Sequence, residues 1–151
     1  MATHLLPGET APLFNGLDQD GKQFSLADLK GKKKVLFFYP EDDTPTCTIQ
    51  ACNLRDHHSE LVQHGFTVIG ISPNDSKSHK SFITKFSLPF TLLADPERKI
   101  INLYGVWGEK NLYGRKYQGL HRTTFVINEA GIIEKVFRKP KNKAHAAEIL
   151  K

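Results

Sequence analysis

Both cysteines of the chain lie in one short stretch, Tyr39-Pro40-Glu41-Asp42-Asp43-Thr44-Pro45-Thr46-Cys47-Thr48-Ile49-Gln50-Ala51-Cys52. The chemistry open to them is that of the thiolate, a nucleophile that forms readily only where its surroundings favour the ionised form. An apolar run from Val35 to Tyr39 stops at Pro40, and after a polar loop the apolar pattern restarts at helical spacing, which predicts strand, loop and helix. Thr44 or Thr46 can cap the helix and Pro45 suits its opening, so Cys47 falls in or beside the first turn. There, unpaired backbone N–H groups and the positive end of the helix dipole favour thiolate over thiol. Cys52 is five residues further on, which on an ideal helix puts the two Cα atoms roughly 8 to 9 Å apart. A disulfide needs less than about 7 Å. The pair therefore cannot bond across an intact helix but can bond once its first turn or two unwinds. One thiol would react, the helix would open, and the other would resolve the product.

Competing readings of these residues are weaker. An inert buried cysteine suits Cys47 poorly, because Thr46 and Thr48 flank it in a proline-framed loop. Cys52, beside Ile49, Ala51 and Leu54, could instead fill a small apolar role and leave resolution to an external thiol. His57-His58 does not make a zinc site with the cysteines. Structural zinc sites separate paired cysteines by about two to four residues and paired histidines by about three to five, and these spacings do not match. Solvent-facing helix histidines are the simpler reading. Gln50 and Arg55 fit a solvated helix face and Asp42-Asp43 fits loop solvation. No Ser-His-Asp order, glycine-rich phosphate loop or credible carboxylate pair emerges.

The elements that must hold Cys47 follow from the apolar pattern. Leu17 to Phe24 reads as a hairpin turning at Asp20-Gly21, and Ser25 to Leu29 as a short helical turn ended by Gly31. Lys34 to Tyr39 is a first buried strand. The helix from about Thr46 extends to His64, where Gly65 stops it. Phe66 to Ser72 lacks polar alternation, as strands covered on both faces do. A helix follows from Pro73-Ser76 through Phe82, Ile83 and Phe86, then an extended Leu92 to Ala94 and a short helix from Pro96 to Tyr104. Gly105 to Gly119, with four glycines, reads as a loop or hairpin over the sheet. Strands Thr123 to Asn128 and Ile132 to Arg138 turn at Asn128 to Gly131, and Asn142 to Leu150 closes the chain as a helix. The alternation predicts an α/β architecture, a central mixed sheet with helices on both sides.

At 151 residues with 39% hydrophobic and 25% charged composition, one domain over 1–151 is expected to fold without metal or disulfide. The net charge is +5. The lysines are dispersed, and without interleaved stacking aromatics they read as solvated surface rather than a nucleic-acid patch. No apolar run approaches membrane-spanning length and the N-terminus lacks a signal-peptide pattern, so the expected location is the cytoplasm. There, two cysteines are more often redox-active or metal-binding than structural.

Pro40, Thr44 and Cys47 reproduce Pro-x-x-x-Thr-x-x-Cys, and the stretch closely resembles the peroxidatic motif of the peroxiredoxins. Cys47 to Asp56, with Cys52 included, resembles the bacterioferritin-comigratory or Q-type branch. The resemblance implies a thioredoxin-like fold with an N-terminal β-hairpin extension and a thiol peroxidase acting on hydrogen peroxide and organic hydroperoxides. Cys47 would be the nucleophile and Cys52 the resolving thiol, with recycling by a thioredoxin-like dithiol. It also implies that Arg122, at the head of Arg122-Thr123-Thr124-Phe125-Val126-Ile127, stands beside the thiolate as a permanently charged planar donor. Thr44 would donate to the thiolate while accepting from peroxide, and Pro40 would shield the pocket by shape. No metal or organic cofactor, nucleic acid or membrane is implied, and a monomer is expected because resolution needs one chain only. A disulfide oxidoreductase would want Cys-x-x-Cys, which is missing. A non-catalytic binding module would use only the basic surface.

Overall fold

The computed structural model describes residues 3–151. A hairpin, β1 (Asn15–Leu17) and β2 (Gln23–Ser25), leads through a 3-10 turn at Leu26–Leu29 into β3 (Lys33–Phe38). Helices α1 (Pro45–Asp56) and α2 (His58–Gln63) return the chain to β4 (Phe66–Ser72). Then come α3 (Ser76–Phe86), β5 (Thr91–Ala94), α4 (Lys99–Leu103) and the hairpin β6 (Trp107–Leu112) and β7 (Arg115–Leu120). Strands β8 (Thr123–Ile127) and β9 (Ile133–Phe137) precede a 3-10 turn at Asn142–Ala144 and α5 (His145–Leu150).

Seven strands form one mixed sheet in the order β2-β1-β5-β4-β3-β8-β9. β3, β4 and β5 run parallel, and β8 lies antiparallel to β3 with Phe38 opposite Thr123. Alternation along β3 sends Val35, Phe37 and the following Tyr39 to one face, against Ala51 and Leu54 of α1, Leu61 of α2, Phe82 of α3 and Ile149 of α5. Leu36 and Phe38 go to the other, against Leu26, Ile100, Ile101 and Tyr104. The central strands are thus covered on both faces, which is why their sequences are almost unbroken apolar runs. Gly70 is the exception in β4: a Cβ there would lie 2.6 Å from Leu92 and 2.7 Å from the Phe37 ring, so a side chain would displace packed neighbours.

The expected helix from Thr46 to His64 is interrupted at His57, whose backbone departs to φ −111° and ψ 15°, and Gly65 ends it at φ +86°. The closing helix is likewise divided, with a 3-10 turn ahead of α5. Gly105 to Gly119 resolves into the hairpin reading: β6 and β7 form a separate two-stranded sheet around a turn with positive φ at Tyr113 and Gly114. Among the described residues no helix is long and apolar enough to cross a membrane.

Candidate active site

The site lies where β3 hands over to α1. Tyr39 continues β3, its N–H donating to Ile71 O at 3.1 Å. The loop from Pro40 then reaches Thr44, which occupies the N-cap of α1 with extended backbone and Pro45 next to it. Thr48 N–H donates to Thr44 O at 2.8 Å and closes the first turn. The N–H groups of Thr46 and Cys47 are left at the helix start without intrahelical acceptors, as position dictates. Thr44 departs from the expected geometry. Its hydroxyl donates back to Glu41 O at 3.0 Å, so its single proton is committed to the loop, and only its lone pairs remain to face a ligand.

Cys47 is 1% exposed, among Tyr39, Ala51 and Leu54. Burial alone would mark an inert thiol, the reading that the flanking threonines argued against, but the sulfur has a cationic partner. Arg122 Nη2 donates to Cys47 Sγ at 2.9 Å. The strand register explains the meeting. Thr123 is paired with Phe38 at the end of β3, so the residue before β8 arrives at the edge of the sheet from which α1 departs. The second guanidinium arm, Nη1, donates to Gln50 Oε1 at 3.4 Å. Gln50 is 0% exposed, contrary to the solvated helix face expected of it. Its Nε2 has no hydrogen-bond partner among the described residues. A guanidinium therefore donates to the sulfur, two backbone N–H groups stand unpaired at the start of its helix, and the Gln50 amide on the same helix keeps an unused donor. Such an array stabilises negative charge on the sulfur and on an oxygen leaving it.

Cys52 is half-buried on the same unbroken helix, and both thiols are free. Pro40 is half-buried at the head of the loop. The structure thus brings Cys47 and Arg122 into contact, puts Thr44 at the cap of their helix and Pro40 before it, and keeps Cys52 apart. A sequence profile described as the AhpC/TSA family matches residues 7–136. The chain belongs to that family. It is 48% identical over 143 residues to a Coxiella burnetii relative bearing the peroxiredoxin bcp name, spanning 95% of each chain. It is 42% identical over 146 residues to peroxiredoxin Bcp of Escherichia coli, spanning 97% of this chain and 94% of that one. Among solved structures, the Xanthomonas campestris bacterioferritin comigratory protein, described in terms of alkyl peroxide reduction, superposes with a TM-score of 0.85 at 30% identity, covering 91% of this chain and 87% of its own. The fold is thus the thioredoxin-like fold of the Bcp and Q-type peroxiredoxins, and the protein is a peroxidase of the oxidoreductase class.

Two features of this peroxiredoxin escaped the sequence. Gln50 carried a signal that could have found it: spacings of three and four place it on the helix face of Cys47 and Leu54, both buried. Asp42, expected in solvent, is 9% exposed. Its carboxylate meets Tyr39, Ser78 and His79, and no local pattern announces a partner 37 residues away.

Proposed function

We propose that this peroxiredoxin reduces hydrogen peroxide and organic hydroperoxides through a Cys47 sulfenic acid and a Cys47–Cys52 disulfide. The contact of Arg122 Nη2 with Cys47 Sγ at 2.9 Å carries the reading, since it supplies at one point the charge that holds a thiolate and the donor that orients peroxide. Cys47 thiolate attacks the distal peroxide oxygen; the S–O bond forms as the O–O bond breaks, and the departing oxygen leaves as water or an alcohol once protonated. Arg122 and the helix-start N–H groups hold the negative charge during transfer. Gln50 Nε2 supplies a further donor. Thr44 accepts from the peroxide through its lone pairs, and Pro40 keeps water from the sulfur. The start of α1 then unwinds and Cys52 thiolate displaces hydroxide from the sulfenic sulfur, forming the disulfide. A thioredoxin-like dithiol reduces it by two exchanges and is itself oxidised.

A cleft of about 480 Å³ lined by Thr46, Ile49, Lys141, Asn142, Lys143 and Ala144 opens beside this turn, and its apolar wall suits the organic part of an alkyl hydroperoxide. Resolution within one chain supports a monomer, and two free thiols suit a reducing compartment such as the cytoplasm.

The test is intact-mass analysis after one equivalent of hydrogen peroxide, beside peroxide consumption with a thioredoxin system. The expected product is lighter by two hydrogens, and Cys47→Ser consumes no peroxide. A stable sulfenic or sulfinic adduct on Cys47 with Cys52 still free would remove intramolecular resolution. A wild-type rate in Cys47→Ser would remove the nucleophile.

A further inference from the structure

Asp42 sits in the loop between Pro40 and Thr44, and its side chain is 4% exposed while that of His79, on α3, is 0% exposed. The carboxylate receives Tyr39 Oη at 2.6 Å, Ser78 Oγ at 2.7 Å and His79 Nδ1 at 2.7 Å. The Asp42 N–H is held by Asn74 Oδ1 at 2.9 Å, and that amide oxygen also takes the Ser72 hydroxyl at 2.8 Å. Proton counting constrains the pair. His79 Nε2 faces Leu93 O at 2.9 Å, and a carbonyl only accepts, so Nε2 carries a hydrogen. Nδ1 faces an acceptor at 2.7 Å as well, so a second hydrogen lies in that contact. With one hydrogen shared in that contact, the pair carries no net charge.

The next residue, Asp43, has φ +58°, a left-handed conformation that a non-glycine residue keeps only where its surroundings over-determine it. Asp43 is fastened to α3 by Lys85 at 2.7 Å, but at the surface. In the interior the fastening is His79 and Ser78, both on the Asp42 carboxylate. Tyr39 links this cluster to the reacting sulfur. Burial, and then the Asp42 carboxylate, hold its phenol proton well above the usual range, and the negative charge of Cys47 adds to this.

We propose that His79 is a positioning residue for the peroxidase reaction. Through Asp42 it fixes the loop that presents Cys47, and it cancels the Asp42 charge that would otherwise oppose a thiolate at the end of that loop. The inference rests on Cys47 being the nucleophile. Other charges near Asp42, those of Asp43, Asp75, Lys77 and Lys85, line an open cleft between the loop and α3 and are screened by solvent. The cation facing the sulfur itself is Arg122. Of the charged partners of the Asp42 carboxylate among the described residues, His79 alone is buried with it.

The experiment compares His79→Gln with the double variant Asp42→Asn/His79→Gln, both in a Cys52→Ser background so that one active-site thiol titrates. Folding is checked by circular dichroism, and the pH profile of iodoacetamide alkylation of Cys47 is read beside the rate of reaction with hydrogen peroxide. Glutamine keeps a donor for Asp42 but carries no positive charge. His79→Gln is expected to move the alkylation midpoint up by about one pH unit and to slow the peroxide reaction about tenfold at pH values below the parent midpoint, with a smaller effect above it. The double variant, having no carboxylate to neutralise, is expected to return to within about threefold of the parent rate. Should His79→Gln fail to fold, Asp42→Asn alone replaces it, and its midpoint is expected to stay or fall. An unmoved midpoint in folded His79→Gln, a double variant as displaced as the single, or a rise in Asp42→Asn overturns the proposal. Loss of all alkylation in both the parent and the variants would instead count against Cys47 as the nucleophile.

Discussion

At its start, α1 is held inward by Cys47 and Gln50, both buried and both hydrogen-bonded by Arg122, while its outer side is held by backbone alone. Thr44 gives its carbonyl to Thr48 but turns its hydroxyl away to Glu41, no side chain caps the helix, and Pro45, Thr46 and Ile49 are exposed. From Asn53 onward the same helix is fastened from three sides. Asn53 Nδ2 donates to Lys143 O at 3.0 Å and its Oδ1 receives Ala146 N–H at 2.9 Å. Leu54 is fully buried, and Arg55 donates to Phe86 O at 2.8 Å on α3. Local opening favours segments with few anchoring contacts. The proposed unwinding would therefore have to release the Arg122 contacts of Cys47 and Gln50 and stop before Asn53, one residue past Cys52. Under the proposed mechanism, Cys52 would keep its place and Cys47 would travel.

The contrast breaks most sharply at Arg122, to which the proposed mechanism assigns the chemistry at the start of α1. Arg122→Ala is expected to slow reaction with peroxide about 10²- to 10³-fold, the usual consequence of losing one preorganised donor to developing charge. Its melting temperature should barely change, because the side chain is half-buried and not part of the core. Stopped-flow tryptophan fluorescence or a competitive peroxide assay measures the rate; a loss below tenfold would mean the helix start does most of the work. Leu54→Ala addresses the anchored end, where packing dominates. It should cost about 2–5 kcal/mol in a denaturant melt and leave the peroxide rate of the folded protein within a few-fold of the original.

Asn53→Ala sharpens the boundary between the two. Asn53 Oδ1 caps the first turn of α5 from a neighbouring helix, a duty its own N-cap residue Ala144 cannot perform. Losing both hydrogen bonds should cost about 1–2 kcal/mol. Amide exchange should rise in α5 and in residues 53–56, with the initial attack by Cys47 unchanged. Faster exchange confined to residues 45–52 would put the limit of unwinding elsewhere.

The same division governed what the sequence could reveal. Strand β4 was legible to the residue and β3 nearly so, since a parallel strand covered on both faces writes its burial as a continuous apolar run. Helix α3 was legible because Phe82, Ile83 and Phe86 fall at helical spacing after a cap, which Asp75 supplies by accepting from Ser78 N–H. Strand, loop and helix around Cys47 were legible from prolines and threonines. Arg122 was reachable only through family resemblance, because its partner lies 75 residues away and strand register brings them together. The Asp42–His79 pair left no trace for the same reason: a carboxylate in a polar loop looks solvated until the fold supplies a distant imidazole. The break of α1 at His57 was also unannounced, as no proline or glycine marks it.

The smallest expected effect concerns the anchor itself. His145 opens α5, is 0% exposed, and sits between the Thr124 hydroxyl, which donates to Nε2 at 2.8 Å, and Glu148, which accepts from Nδ1 at 3.0 Å. Both bonds suit the neutral ring. Burial lowers its pKa below the ordinary 6.5, against a smaller upward pull from Glu148. The unfolded chain therefore binds a proton below about pH 6.5 that the folded chain refuses, and linkage makes this contribution to stability full above that pH and progressively lost below it. His58 and His121 are also shifted down by burial, so the test must be differential. Across melts from pH 7.5 to 5.5, the stability gap between wild type and His145→Gln should narrow as pH falls, and α5 amides should lose protection before those of β3 and β4. A gap that stays constant would show that His145 anchors α5 by shape and hydrogen bonding without coupling its docking to protons.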